Sequence, residues 1–111
     1  TKSHDVTDQS GRRVQVKAMG GRVVGRSGKF SPFRSFDFDT AVFLIFAAET
    51  FELVLAREVD ADSVEAVAPY SRHTNGRQAT LRQVESLGLD VTTEMREAFA
   101  TLDPDAVDLV Q

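Results

Sequence analysis

Asp5, Gln15 and Lys17 are the residues whose types and spacing could do chemistry together. A carboxylate, an amide oxygen and an ammonium brought to one point can hold a divalent cation through oxygen and orient a water beside it. What must position them is a hairpin. Asp8-Gln9-Ser10-Gly11 predicts a type I turn closed by a bulge, with Asp opening the turn and Gly where φ must be positive. That turn pairs Asp8 with Arg12, Val6 with Val14 and Asp5 with Gln15. Directly opposed residues share a face, and so do residues two apart on one strand. Asp5, Gln15 and Lys17 are therefore expected on one face, and Val6, Val14 and Val16 on the other, toward the core. The same three polar residues also fit ordinary cross-strand pairing on a solvated sheet face.

An aspartate on one strand and Gln-x-Lys on the next resembles the PD-(D/E)xK nuclease superfamily, which shares the restriction-endonuclease core. The resemblance covers the first half of the chain in order of elements, on a motif of three residues. Gln15 stands where the superfamily usually has Asp or Glu, and His4 where it usually has proline. The resemblance implies a metal-dependent DNA endonuclease that hydrolyses phosphodiesters with Mg²⁺ or Mn²⁺. On it, Asp5 is the charged metal ligand, and the Gln15 side-chain oxygen and the Val16 backbone carbonyl complete the protein half of the shell. Lys17 orients the nucleophilic water or balances charge in the transition state. An amide in place of a carboxylate weakens metal binding unless another acid joins. Many superfamily members take that acid from a helix upstream of the first strand, so an upstream helix or domain of the same protein is expected. The alternative is a non-catalytic nucleic-acid-binding or protein-interaction domain that retains a nuclease-like core.

Charge is distributed unevenly around this motif. Residues 1–34 carry eight Lys and Arg against Asp5 and Asp8, whereas residues 35–111 carry five basic and fifteen acidic residues, for a net charge of −4. Arg12, Arg13, Arg22, Arg26, Lys29 and Arg34 are the candidate DNA contacts, since lysine and arginine displace counterions from a phosphate backbone. They are equally readable as solvated turn residues. Gly, Arg, Lys and Ser dominate residues 19–35, which predicts a flexible basic loop.

Length and composition set further bounds. A chain of 111 residues, 41% hydrophobic, suits one domain over 1–111 with a modest core. The absence of cysteine excludes disulfides and thiolate metal sites. The longest apolar run, Ala41 to Ala48, is far too short to span a bilayer, so no membrane partner and a cytoplasmic location are expected. An exposed strand edge on a short chain points to a homodimer as a further expectation.

The elements then follow in order, as an α/β (α+β mixed) fold. Ala41 to Phe46 has no polar residue and predicts a strand buried on both faces. Phe51 to Val59 predicts its antiparallel neighbour, with Phe51, Leu53 and Leu55 on one side and Glu52, Val54 and Ala56 on the other. With the hairpin, these make a four-stranded mixed sheet, restriction-endonuclease-like under the resemblance, followed by C-terminal helices. Asp62 with Glu65, and Thr80 with Gln83, predict capping boxes for two helices. Gly88 predicts the end of the second, and Met95, Phe99 and Leu102 a third helix near 92–102. Tyr70 to Arg77 reads as a polar loop with an Asn75-Gly76 turn. Phe33, Phe36 and Phe38 read as core or lid residues, and beside Arg34 as rings that could stack on bases.

Overall fold

Seven consecutive residues with no exposed side chain can lie only at the centre of a sheet covered on both faces, and Thr40–Phe46 (β3) does. The computed structural model describes residues 6–8, 10–20, 28–47, 50 and 52–100. β3 lies between Arg13–Met19 (β2), parallel to it, and Leu53–Asp60 (β4), antiparallel to it. Val6–Thr7 (β1) adds antiparallel to β2, with Val6 opposite Val14 as the turn residues predict. The side chain of Val6 and all of Asp5 and Phe51 lie outside the described residues.

After β4 the chain passes directly into Ala61–Val67 (α1), then a short hairpin, Tyr70–Ser71 (β5) and Gly76–Arg77 (β6). One helical turn, Leu81–Val84 (α2), leads to Leu89–Asp90 (β7) and Thr92–Ala100 (α3). β7 pairs with the outer edge of β4, so the mixed sheet has five strands in the order β1-β2-β3-β4-β7 rather than the four expected. Two residues of pairing are too weak a signal to read from sequence.

Alternation along β3 divides the interior in two. Ala41, Phe43 and Ile45 join Phe30, Phe33, Phe38, Val59, Val64, Leu81 and Val84 on one face. Val42, Leu44 and Phe46 join Leu53, Ala56 and Val91 on the other, where Met95 and Phe99 of α3 pack against them. Val14 and Val16 also turn to this second cluster, as expected.

Three readings need correction. Leu53 and Leu55 do not share a side, because the β3–β4 register shifts between Ile45 and Phe46. Leu55 pairs with Ile45 and Leu53 with Phe46, which leaves Val54 as the extra, exposed residue of a bulge. The first helix is capped by Asp60, which accepts hydrogen bonds from the amide (3.1 Å) and hydroxyl (2.7 Å) of Ser63, and not by Asp62. Residues 70–77, read as a polar loop with an Asn75-Gly76 turn, form a hairpin in which Asn75 takes φ 52°. The Thr80–Gln83 capping box is present as predicted.

The parallel pairing of β2 with β3 requires a crossover, which residues 28–39 supply over the face of the first cluster. No helix occurs in the described part of this segment. It is instead pinned as an irregular strand. The Phe30 amide donates to Ala79 O (3.0 Å), the Leu81 amide to Gly28 O (2.8 Å), and Phe33 and Arg77 exchange two backbone bonds of 2.7 and 2.8 Å. Phe30 and Phe33 are buried beneath it, Phe30 edge-to-face on Phe43 with centroids 4.8 Å apart. The basic loop expected over 19–35 therefore begins inside β2 and ends as a docked segment; residues 21–27 lie outside the described residues.

Candidate functional site

The turn that sets the hairpin register is held by the side chain of Asp8. Its Oδ1 accepts from the Ser10 amide (2.9 Å), the Ser10 hydroxyl (2.7 Å) and the Arg12 amide (2.9 Å). Gly11 takes φ 86°, and the Asp8 amide donates to Arg12 O (2.9 Å), closing the loop. With this register Gln15 lies opposite Ala41 and Lys17 opposite Phe43, both on the face of the first cluster and both half-buried.

Lys17 is held by the crossover. Its ammonium donates to Ser31 Oγ (3.0 Å) and to Pro32 O (3.2 Å), and sits 4.6 Å above the centroid of the Phe33 ring. Phe33 is itself wedged between Phe36, Phe38 and Phe43, so the ring beneath the ammonium has a fixed plane. Nothing in the local sequence around Lys17 announces Ser31, Pro32 and Phe33 as its partners. Val16 faces the opposite side, its side chain against the second cluster. Asp5, the third member of the predicted cluster, lies outside the described residues, as do Arg22 and Arg26.

The remaining basic candidates divide into paired and open. Arg12 donates from Nε to Asp8 Oδ2 (2.9 Å) and from Nη2 to Glu58 Oε2 (3.0 Å). Arg13 bonds Asp37 through Nη1, approaches Asp39 through Nη2 (3.6 Å), and its amide donates to Asp39 Oδ2 (2.7 Å). The Ser10 hydroxyl and then Arg12 hold the Asp8 carboxyl well below the usual carboxylate range, and the Arg13 backbone amide lowers Asp39. Asp37 and Asp39 are thus engaged with Arg13. Lys29 is exposed beside its bridge to Thr80, and Arg34 is exposed with one long bond, 3.4 Å, to Thr74 O. His73 is exposed at the tip of the β5–β6 hairpin.

Among the described residues no three His, Cys, Asp or Glu side chains are grouped to hold a metal. Gln15 and the Val16 carbonyl are neutral oxygen donors, and Mg²⁺ is ordinarily held through one or two carboxylates. The described residues thus do not fit a metal by themselves.

A concavity lies elsewhere, at residues that the three-residue motif does not include. Where the crossover meets the β5–β6 hairpin, a cleft of about 380 Å³ is lined by Phe33, Arg34, Phe36, Glu65, Tyr70 and Asn75 among others. Its components were visible in the sequence as separate aromatic and turn signals. The Phe33–Arg77 bridge and the Arg34–Thr74 bond bring them together. No family model matches the chain, and no curated protein matches it.

Proposed function

We propose that this chain is a nuclease-like domain that hydrolyses phosphodiester bonds in DNA, with Asp5, Gln15 and Lys17 as its working residues. The observation that carries the reading is the bearing of Lys17. It shares a face with Gln15 on a strand whose hairpin register follows the expected one, and its ammonium is held by Ser31, Pro32 and Phe33. A cation positioned before the substrate arrives stabilises developing phosphate charge without reorganising during the reaction. Lys17 would donate to a non-bridging phosphate oxygen or orient the attacking water, and Gln15, on the same face, would offer its amide oxygen. Asp5 would be the charged ligand for Mg²⁺ or Mn²⁺, which would supply charge neutralisation and a more acidic water. A mixed sheet with elements packed on both faces supports a restriction-endonuclease-like core, and the exposed Lys29 and Arg34 support contact with a phosphate backbone.

The engagement of Asp37 and Asp39 with Arg13, together with glutamine in the place of an acid, favours a second reading: a DNA-binding module without a competent metal site. Plasmid nicking in Mg²⁺ and Mn²⁺ separates the two. The first predicts cleavage that falls by about 100-fold or more in Lys17→Ala and in Asp5→Ala, with far-UV circular dichroism unchanged. Binding that weakens steeply with salt, without any nicking, would instead establish the module.

A further inference from the structure

The cleft between the crossover and the β5–β6 hairpin has the composition of a site for a flat, polar-edged ring. Tyr70 is 55% exposed on one of its walls, although a tyrosine at the start of a hairpin could have packed inward. Its hydroxyl donates to Asn75 Oδ1 (3.1 Å), which fixes the ring. Phe36 lies on another part of the lining, only partly buried and stacked on Phe33 with centroids 5.4 Å apart. Arg34 brings donors and Glu65 an acceptor. The Thr74 hydroxyl, in the same hairpin, is buried without a hydrogen-bond partner. A volume of about 380 Å³ falls at the small end of the range for small-molecule sites.

The cleft also adjoins the candidate site. Phe33 is a shared wall: Lys17 sits 4.6 Å from its ring centroid, and the same residue lines the cleft. Bases stack on aromatic side chains whatever their identity, and guanidinium groups beside them take the backbone.

We infer that this cleft takes a nucleobase, stacked against Tyr70 and Phe36 with Arg34 on the adjoining phosphate. The assignment rests on the phosphodiesterase reading of Lys17 and deepens it, because an accessible base implies single-stranded or unpaired substrate. The probe is 2-aminopurine in a single-stranded oligonucleotide, in a perfectly paired duplex, and as the free nucleoside monophosphate, each titrated in EDTA so that cleavage cannot occur. Fluorescence quenching by the single strand is expected. Tyr70→Ala should weaken it roughly tenfold or more, while Tyr70→Phe, which keeps the ring face, stays within about twofold of the unaltered protein. Since Tyr70 is exposed, both variants should unfold at the temperature of the parent, which is to be verified alongside.

Quenching of the monophosphate as well would mean that the base alone suffices. Quenching of the strand only would mean that Arg34 and the flanking phosphates are needed, in which case Arg34→Ala abolishes it. Either result supports the site. Absence of quenching, or equal affinity for Tyr70→Ala, overturns it. Cleavage of plasmid or of the single strand in Mg²⁺ or Mn²⁺ without quenching removes the pocket alone, whereas quenching with neither substrate cut removes the hydrolytic reading and leaves the pocket.

Discussion

Half-burying a lysine against a phenylalanine ring gives the ammonium a direction, and Lys17 acquires its direction from Ser31, Pro32 and Phe33, fourteen to sixteen positions away. At the same scale, Gly88 shows how one backbone position can hold an edge strand. It takes φ 65°, and a Cβ there would lie 2.0 Å from Glu58 O. No side chain fits between the chain and β4 at that point. Gly88→Ala is expected to lower unfolding stability by about 3 kcal/mol, from left-handed strain and displacement of β7. Gly20→Ala, where the added methyl meets nothing within 4 Å, should change it by less than about 0.5 kcal/mol. Urea denaturation of the two variants side by side checks both.

At the scale of elements, the crossover decides whether the site exists. Residues 28–38 contribute no regular helix or long strand, so their placement depends on Phe30 and Phe33 being buried and on backbone bonds to residues 77–81. Phe30→Ala should cost about 3–5 kcal/mol. Its more telling consequence is local: the Leu81 amide, which donates to Gly28 O, should lose hydrogen-exchange protection ahead of the amides of β3. Lys17 would lose its partners in the same event, so the cleavage proposed for it should fall as well. The capping box of α2 is a smaller contributor. Thr80→Ala removes the hydroxyl that accepts from the Gln83 amide and should cost about 1 kcal/mol.

The whole molecule carries its acidic residues in a pattern that governs its response to pH. Asp8, Asp39, Asp60 and Asp90 are all held below the ordinary carboxylate range. The first cause is the Ser10 hydroxyl for Asp8, the Arg13 amide for Asp39, the Ser63 hydroxyl for Asp60 and the Thr92 hydroxyl for Asp90. Each titrates lower folded than unfolded, so each contributes stability above its unfolded value, about 3.9, and loses it as pH falls through the folded value. The midpoint of thermal unfolding should therefore be flat in pH above about 5 and drop progressively below about 4. Asp8→Asn should flatten part of that drop, which scanning calorimetry between pH 2 and 7 would record. An unchanged profile in this variant would show that the turn is not held by the ionised carboxylate.

What was legible without the fold is what neighbours in sequence decide. The hairpin register follows from Asp8 and Gly11, the central strand from the apolar run at Ala41–Phe46, and the start of α2 from Thr80 and Gln83. Each is a short-range hydrogen-bonding or burial constraint. The cap of α1 was misplaced by two residues because Asp60 and Asp62 both satisfy a local capping pattern, and Asp60 is held at the end of β4 by its pairing with Thr40. β7, the bulge at Val54, the hold on Lys17 and the aromatic cleft exist only once distant segments meet. Their energies come from contacts that chain order does not specify, so residue types alone could name the candidate lysine but not what holds it or what lies beside it.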